Sequence, residues 1–327
     1  MDITVFSPYE LPLVLRSLTT VAANSESLTV REQQFLQVVN VLHHGSDETS
    51  VWSPIDTPQI AQVITDPHHR KRLLQMAMVM AMVEGDMTAR QQRALQSLAS
   101  GLSVNERGLR VLHEAASGHQ LLARLDMTRR MMGNVVEPAY QEEGVAGVAK
   151  IMGPLFLKKG GEDPALAWRF RQLGLLPHDT LGRAFWEHCT QRQFSFPGEP
   201  GAIPLRLVFH DFGHVLAGYD TTPAGEIQQG AFQAGFVRND GFMFLLFVIL
   251  HFHWGVKITP LADASEGLFD IPLVMHALQR GATCTVDLSD HWNFWDVVEV
   301  PLQEVRERYG IPSLSVPAVE QDVTPVV

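Results

Sequence analysis

Between Arg206 and Phe236 the sequence encodes two helices and the turn that joins them, which fixes what can face what. His210 and His214 are four residues apart, so on a helix they share one face, and Asp211 lies at the edge of that face. Gly218 then suits a helix stop, Thr222 an N-cap and Pro223 the first position of a second helix. Glu226 falls in the first turn of that second helix, where it can fold back on the two histidines. Two imidazoles and two carboxylates converging from a helical hairpin point to a divalent-metal site at His210, Asp211, His214 and Glu226. The alternative reading of the same residues is a hydrogen-bonded polar helix pair.

Helix signals run through the rest of the chain, and no period-2 run marks a strand, so the expected fold is all-α. Thr29–Glu32 and Ser103–Glu106 have the spacing of capping boxes, and Thr88–Gln91 is the glutamine variant. Thr57-Pro58, Asp66-Pro67 and Asp163-Pro164 each read as a cap followed by a first-turn proline. Met76 to Val83 is apolar all round, which predicts a central helix buried by its neighbours. Leu28–Gln37 aligns with Met87–Gln96 at an offset of 59 residues, which predicts a duplicated helical hairpin. Glycine and proline punctuate the stretch after Gly133, at Gly144, Gly147, Gly153-Pro154 and Gly160-Gly161, with a short helix expected around Val145–Ile151. Two helical domains are therefore expected, 1–135 and 161–327, joined by a linker over 136–160.

Composition narrows the partners. Hydrophobic residues make up 46% and charged residues 19%, which is globular. Residues 1–135 hold 12 Lys+Arg against 13 Asp+Glu, and residues 136–327 hold 13 against 23. The acidic C-terminal half argues against nucleic acid as a partner. Cys189 and Cys284 show no paired spacing, as expected of free thiols in a reducing compartment. No basic stretch followed by an apolar core marks residues 1–4 as the start of a secretion signal, so a cytoplasmic location is expected. The apolar stretch Gly241–Val256 would span about 24 Å as a helix, short of the roughly 30 Å hydrocarbon core, and it holds His251 and His253. A buried helix, or one lining an apolar pocket, is expected there. Those two histidines stand about 200° apart on a helix, so at most one faces the metal site. Gln229 and Gln233 extend the face of Glu226 and can orient it or a substrate. No ligand geometry is expected of His68 and His69.

His-Asp-x-x-His followed by Glu226 resembles the hallmark of the fourth coenzyme Q (ubiquinone) biosynthesis protein family. Asp163–Ala167, Leu181–Phe185, Trp295-Asp296, Pro301–Arg306 and Tyr309–Ile311 extend the likeness over roughly half the chain. Residues 1–135 more loosely resemble the TerB-like (tellurite-resistance) helical domain, through Met82–Thr88 leading to Gln91 and Ser25–Thr29 leading to Glu32. Glu84 and Gln91 depart from that family's acidic pattern, so no tight metal site is expected in this half.

The first resemblance implies a metal-dependent step of ubiquinone biosynthesis, the oxidative removal of the ring carboxyl from a prenylated hydroxybenzoate. Zinc is the expected ion, with manganese or iron as alternatives. Arg183 is a candidate for binding the substrate carboxylate, with a structural ion pair as its other reading. The partners expected are a prenylated aromatic lipid, other quinone-biosynthesis proteins and a second copy of the chain. A peripheral position at the inner membrane face is compatible with the lipid. Two other functions fit the residues: a non-catalytic lipid-binding scaffold, and a zinc hydrolase with the middle acid as general base.

Overall fold

Side-chain caps written into the sequence start half of the helices in the computed structural model, which describes residues 1–22, 27–44, 52–153, 162–259 and 262–314. The described residues form fourteen α-helices and no strand. The first seven are α1 (Leu11–Val21), α2 (Val30–His44), α3 (Thr57–Val63), α4 (Pro67–Met82), α5 (Ala89–Leu102), α6 (Gly108–Ala116) and α7 (Gln120–Met152). They are followed by α8 (Pro164–Gln172), α9 (Leu181–Arg192), α10 (Phe209–Ala217), α11 (Pro223–Phe236), α12 (Phe242–Phe252), α13 (Ile271–Thr283) and α14 (Leu302–Arg308).

Asp66, Asp163, Thr180 and Thr222 each accept backbone N–H groups in the first turns of α4, α8, α9 and α11. Thr29 and Glu32 exchange reciprocal bonds ahead of α2, as Thr88 and Gln91 do ahead of α5. Two expected caps move. Asp56, not Thr57, is the N-cap of α3. Ser103 ends α5 in the left-handed region, and Glu106 serves Gly108 N, Gln75 and Arg130 instead of a capping box. A buried carboxylate beside an arginine gains more from that charge than from a backbone cap.

The duplicated segment has a matching pair of contacts. Arg31 of α2 donates to Val83 O at the end of α4, and Arg90 of α5 donates to Thr20 O and Ala22 O at the end of α1. Arg31 and Arg90 stand at equivalent positions of the repeat, each placing a cation on the carbonyl end of the other pair's first helix. Ser25-Glu26 and Gly160-Gly161 lie outside the described residues. The stretch expected as a linker is helical from its start to Met152, broken only by positive φ at Gly144.

Every residue of α4 from Arg72 to Met82 is buried, as expected of a helix apolar on all sides. α12 packs on it from the C-terminal half, joined by side chains from the following loop. Trp254 Nε1 donates to Met82 O and His253 Nε2 to Val83 O, while Arg31 reaches on to Phe269 O. One buried apolar cluster takes in residues of both halves, from Met1 to Ile311. No helix among the described residues is long and apolar enough to cross a membrane.

α11 and α13 pack in backbone contact. A Cβ added at Gly281 would overlap the Phe232 carbonyl oxygen, and one at Gly235 would overlap Leu278 O. This close pair anchors the helix that carries Glu226.

Candidate metal centre

Each residue of the segment His210–His214 has a separate task. Phe212 points away from the histidines into an aromatic group, stacked 4.1 Å from Phe185 and 4.8 Å from Phe294 between ring centres. Gly213 leaves room for Gln229, whose amide nitrogen a Cβ there would overlap. Gly218 closes α10 with φ 81°, and its N–H reaches His214 O at 2.8 Å. The freed carbonyls at this end are met by arginines from elsewhere in the fold. Arg306 of α14 donates to Val215 O and Leu216 O, and Arg280 of α13 to Ala217 O and the Tyr219 hydroxyl. Side chains of α13 and α14 thus brace the carbonyl end of α10.

The turn itself is fixed by Asp220, which accepts from Thr222 N and Thr222 Oγ1, and by Thr222, which caps Gly225 N. Glu226 is thereby delivered to the two imidazoles. Its carboxylate oxygens lie 3.4 Å from His210 Nε2 and 3.4 Å from His214 Nε2, and the two Nε2 atoms are 3.2 Å apart.

The outer nitrogens settle the tautomers. His210 Nδ1 lies 3.0 Å from Gln233 Oε1, and His214 Nδ1 lies 3.1 Å from Tyr219 O. An amide or carbonyl oxygen only accepts, so both Nδ1 atoms carry the proton and both Nε2 lone pairs turn inward. Ligating histidines are oriented this way in metal sites generally. Bonds of 2.0–2.1 Å around a tetrahedral ion place neighbouring ligand atoms about 3.4 Å apart, close to the spacings here. The donor set therefore fits a divalent ion held by His210, His214 and Glu226. His214 is buried, whereas the side chains of His210 and Glu226 are 35% and 23% exposed, so the cluster opens to solvent on one side.

Charge is consistent with that geometry. Burial opposes protonation of His210, yet the Glu226 carboxylate and Asp211 together raise it to about 9. Burial likewise opposes ionisation of Glu226, but hydrogen bonds and charge from both imidazoles hold its carboxyl far below the usual range. The site is built to hold positive charge against Glu226.

Asp211, expected as the fourth ligand, stands outside the set whose ligand atoms all lie within 4.8 Å of one another. Burial pushes its carboxyl up, and the charges of His210 and His214 pull it back. At the edge of the face, one residue along from His210, it neighbours the cluster without joining it. Arg183 is not brought to the cluster either. Its guanidinium holds Glu187 at 2.7 Å and Gly174 O and lies over the Trp186 ring, so binding a substrate would require displacing these partners. Both histidines of the apolar segment are satisfied within the core. His251 donates to Ala262 O and accepts from Ile258 N, and His253 bridges Val83 O and Phe269 N.

Two features carried no signal in the sequence. His188 of α9 packs its ring 5.6 Å from that of His214, although no helical spacing relates the two. Asp66, His68 and His69 also bring ligand atoms within 4.8 Å, contrary to the expectation for those histidines. There the Asp66 carboxylate already caps α4, His69 pairs with Glu10 at 3.0 Å, and Arg72 sits against His68. The arginine and the occupied carboxylate make it the poorer cation site.

Compared with models of known protein families and with curated proteins, the chain matches none.

Proposed function

We propose that the chain is a divalent-metal protein whose centre is His210, His214 and Glu226, acting on the ring carboxyl of a prenylated hydroxybenzoate in the synthesis of ubiquinone or a related quinone. The observation that carries the metal reading is the fixing of both Nδ1–H groups by Gln233 and Tyr219, which leaves two Nε2 lone pairs and a carboxylate converging on one point. Three protein ligands with an open side are the arrangement of catalytic rather than structural zinc sites, which favours an enzyme over a scaffold. When bound, the ion would supply a Lewis acid for carboxylate or phenolate oxygens. The substrate class rests on the resemblance of residues 160–312 to the quinone-biosynthesis family. Arg280 and Arg306 hold the carbonyl end of α10, and Tyr219 O and Gln233 hold the imidazoles, so the chain contributes a rigid cradle.

The position of Asp211 gives specific support to a second reading, a zinc hydrolase. In His-Glu-x-x-His enzymes the middle acid is the general base and not a ligand, and Asp211 lies outside the ligand set in the same way.

Elemental analysis of the purified full-length protein, combined with lipid extraction and mass spectrometry, tests the reading. One equivalent of zinc, manganese or iron together with a prenylated aromatic acid is the expected result. Metal without lipid, in a protein that hydrolyses activated esters or amides, would move the conclusion to the hydrolase. Absence of stoichiometric metal after reconstitution would remove both.

A further inference from the structure

The charges of α7 run against its own dipole. Before Gly133 stand Arg124, Arg129 and Arg130 with one acid, Asp126, and between Gly133 and Gly144 stand Glu137, Glu142 and Glu143. A helix gains from acids near its start and bases near its end, so the helix by itself does not account for this order. Most of these charges have partners within the fold. Asp126 pairs with Arg110, Arg130 with Asp240 and Glu106, Glu142 with Arg206, and Glu143 with Lys150. Arg124, Arg129 and Glu137 are exposed and have no ion-pair partner among the described residues.

Arg129, Gly133 and Glu137 make one exposed row at four-residue spacing. The two charges are about 12 Å apart along the axis, too far to meet within one helix. Apolar side chains flank the row. Ala123 and Met127 turn into the core, whereas Leu122, Leu125 and Tyr140 turn out, 49%, 56% and 58% exposed. Leu122 and Tyr140 stand about five turns apart, so they share the face of Arg129 and Gly133. A Cβ at Gly133 would meet nothing within 4 Å, so the surface above it is open.

We propose that this face of α7 is the contact between two copies of the chain, packed antiparallel about a two-fold axis at Gly133. The row is complementary to itself when reversed. Each copy's Arg129 comes level with the other's Glu137, and each Tyr140 comes within about one turn of the other's Leu122 and Leu125. Glycine at the axis lets the two backbones approach. A parallel pair would instead set Arg129 against Arg129 and Glu137 against Glu137. A lipid surface fits less well, because Glu137 stands among the apolar side chains. The contact is independent of the metal centre.

Sedimentation velocity of the full-length protein over about a hundredfold range of concentration reads the association. The wild type is expected to form a dimer. Arg129→Glu and Glu137→Arg each set like charges together at two symmetry-related points, so each should weaken the dimer at least about tenfold. The two substitutions in one chain restore opposite charges and should recover the dimer to within about threefold of wild type. Gly133→Leu improves helix propensity and has room in the single chain, so by circular dichroism it should fold as the wild type does, yet sediment as a monomer. A monomeric wild type would overturn the proposal, and its sedimentation with phosphatidylcholine vesicles would assign the leucines to a lipid surface instead. A dimer that survives Gly133→Leu uses another face and overturns it as well. So does a charge-swapped double variant that stays as weak as either single one.

Discussion

Gln233 stands one hydrogen bond behind the centre, and its amide decides which nitrogen of His210 faces Glu226. Gln233→Leu preserves bulk but removes the acceptor, so His210 is free to rotate or change tautomer. Metal affinity is expected to fall about 10–100-fold, measured by competition with a chelator, while the fold is retained. Unchanged affinity would show that the amide does not orient the ring. Glu226→Gln should cost more, because it removes a ligand and leaves two imidazoles facing an amide, and the pair His210→Ala with His214→Ala should abolish binding. Acidity makes a separate prediction. His210 is raised to about 9, so in the metal-free protein its pairing with Glu226 stabilises the fold fully below pH 6.5 and is lost as pH rises through 9. Glu226 is depressed, so its contribution is present above about 4.5 and is lost as pH falls below that value. Metal needs the neutral imidazole, so apparent affinity should climb by up to about tenfold per pH unit and level off above about 9. Isothermal titrations across buffers of different ionisation enthalpy would count the proton released; none released would contradict the raised His210.

At the scale of the helix, α10 and α11 were legible because Gly218, Thr222 and Pro223 punctuate them and because four-residue spacing puts His210 and His214 on one face. The same rules apply within one element and say nothing of a residue delivered from another. His188 on α9, Arg280 on α13 and Arg306 on α14 reach the site through packing, and no spacing in the sequence relates them to it. Asp211 illustrates a second limit: a carboxylate 100° from a ligand on a helix can be read as inside or outside the set, and side-chain packing decides. The close pair α11 and α13 carries the element-scale prediction. Gly281→Ala puts a methyl against the Phe232 carbonyl, forcing the helices apart at an expected cost of about 1–3 kcal/mol. Because α11 bears Glu226 and Gln233, metal affinity should drop with it. A variant with unchanged urea midpoint would mean that the pair can separate without loss.

Across the whole molecule, the two halves meet at the end of α4. There the loop carbonyls of Met82 and Val83 accept from Trp254, His253 and Arg31, and α12 covers the helix above them. Glu84 accepts from Thr29 Oγ1, and the neighbouring carbonyls are given to the C-terminal half. Arg130 makes a second crossing, from α7 to Asp240 at 2.7 Å and to Glu106 at 3.2 Å, both partly or wholly shielded from water. Breaking a shielded pair strands its partner charges, so Asp240→Asn should destabilise more than an exposed ion pair would. Bonds of this kind couple the unfolding of the segments they join. The full chain is therefore expected to melt in one cooperative transition, with calorimetric and van't Hoff enthalpies in agreement. A fragment ending at residue 135 should bind a hydrophobic dye and melt broadly, because the side of α4 that α12 covers would be exposed to water. Two separable transitions in the full chain, with the first matching a sharp melt of the fragment, would show that the crossings at Met82, Val83 and Arg130 contribute little.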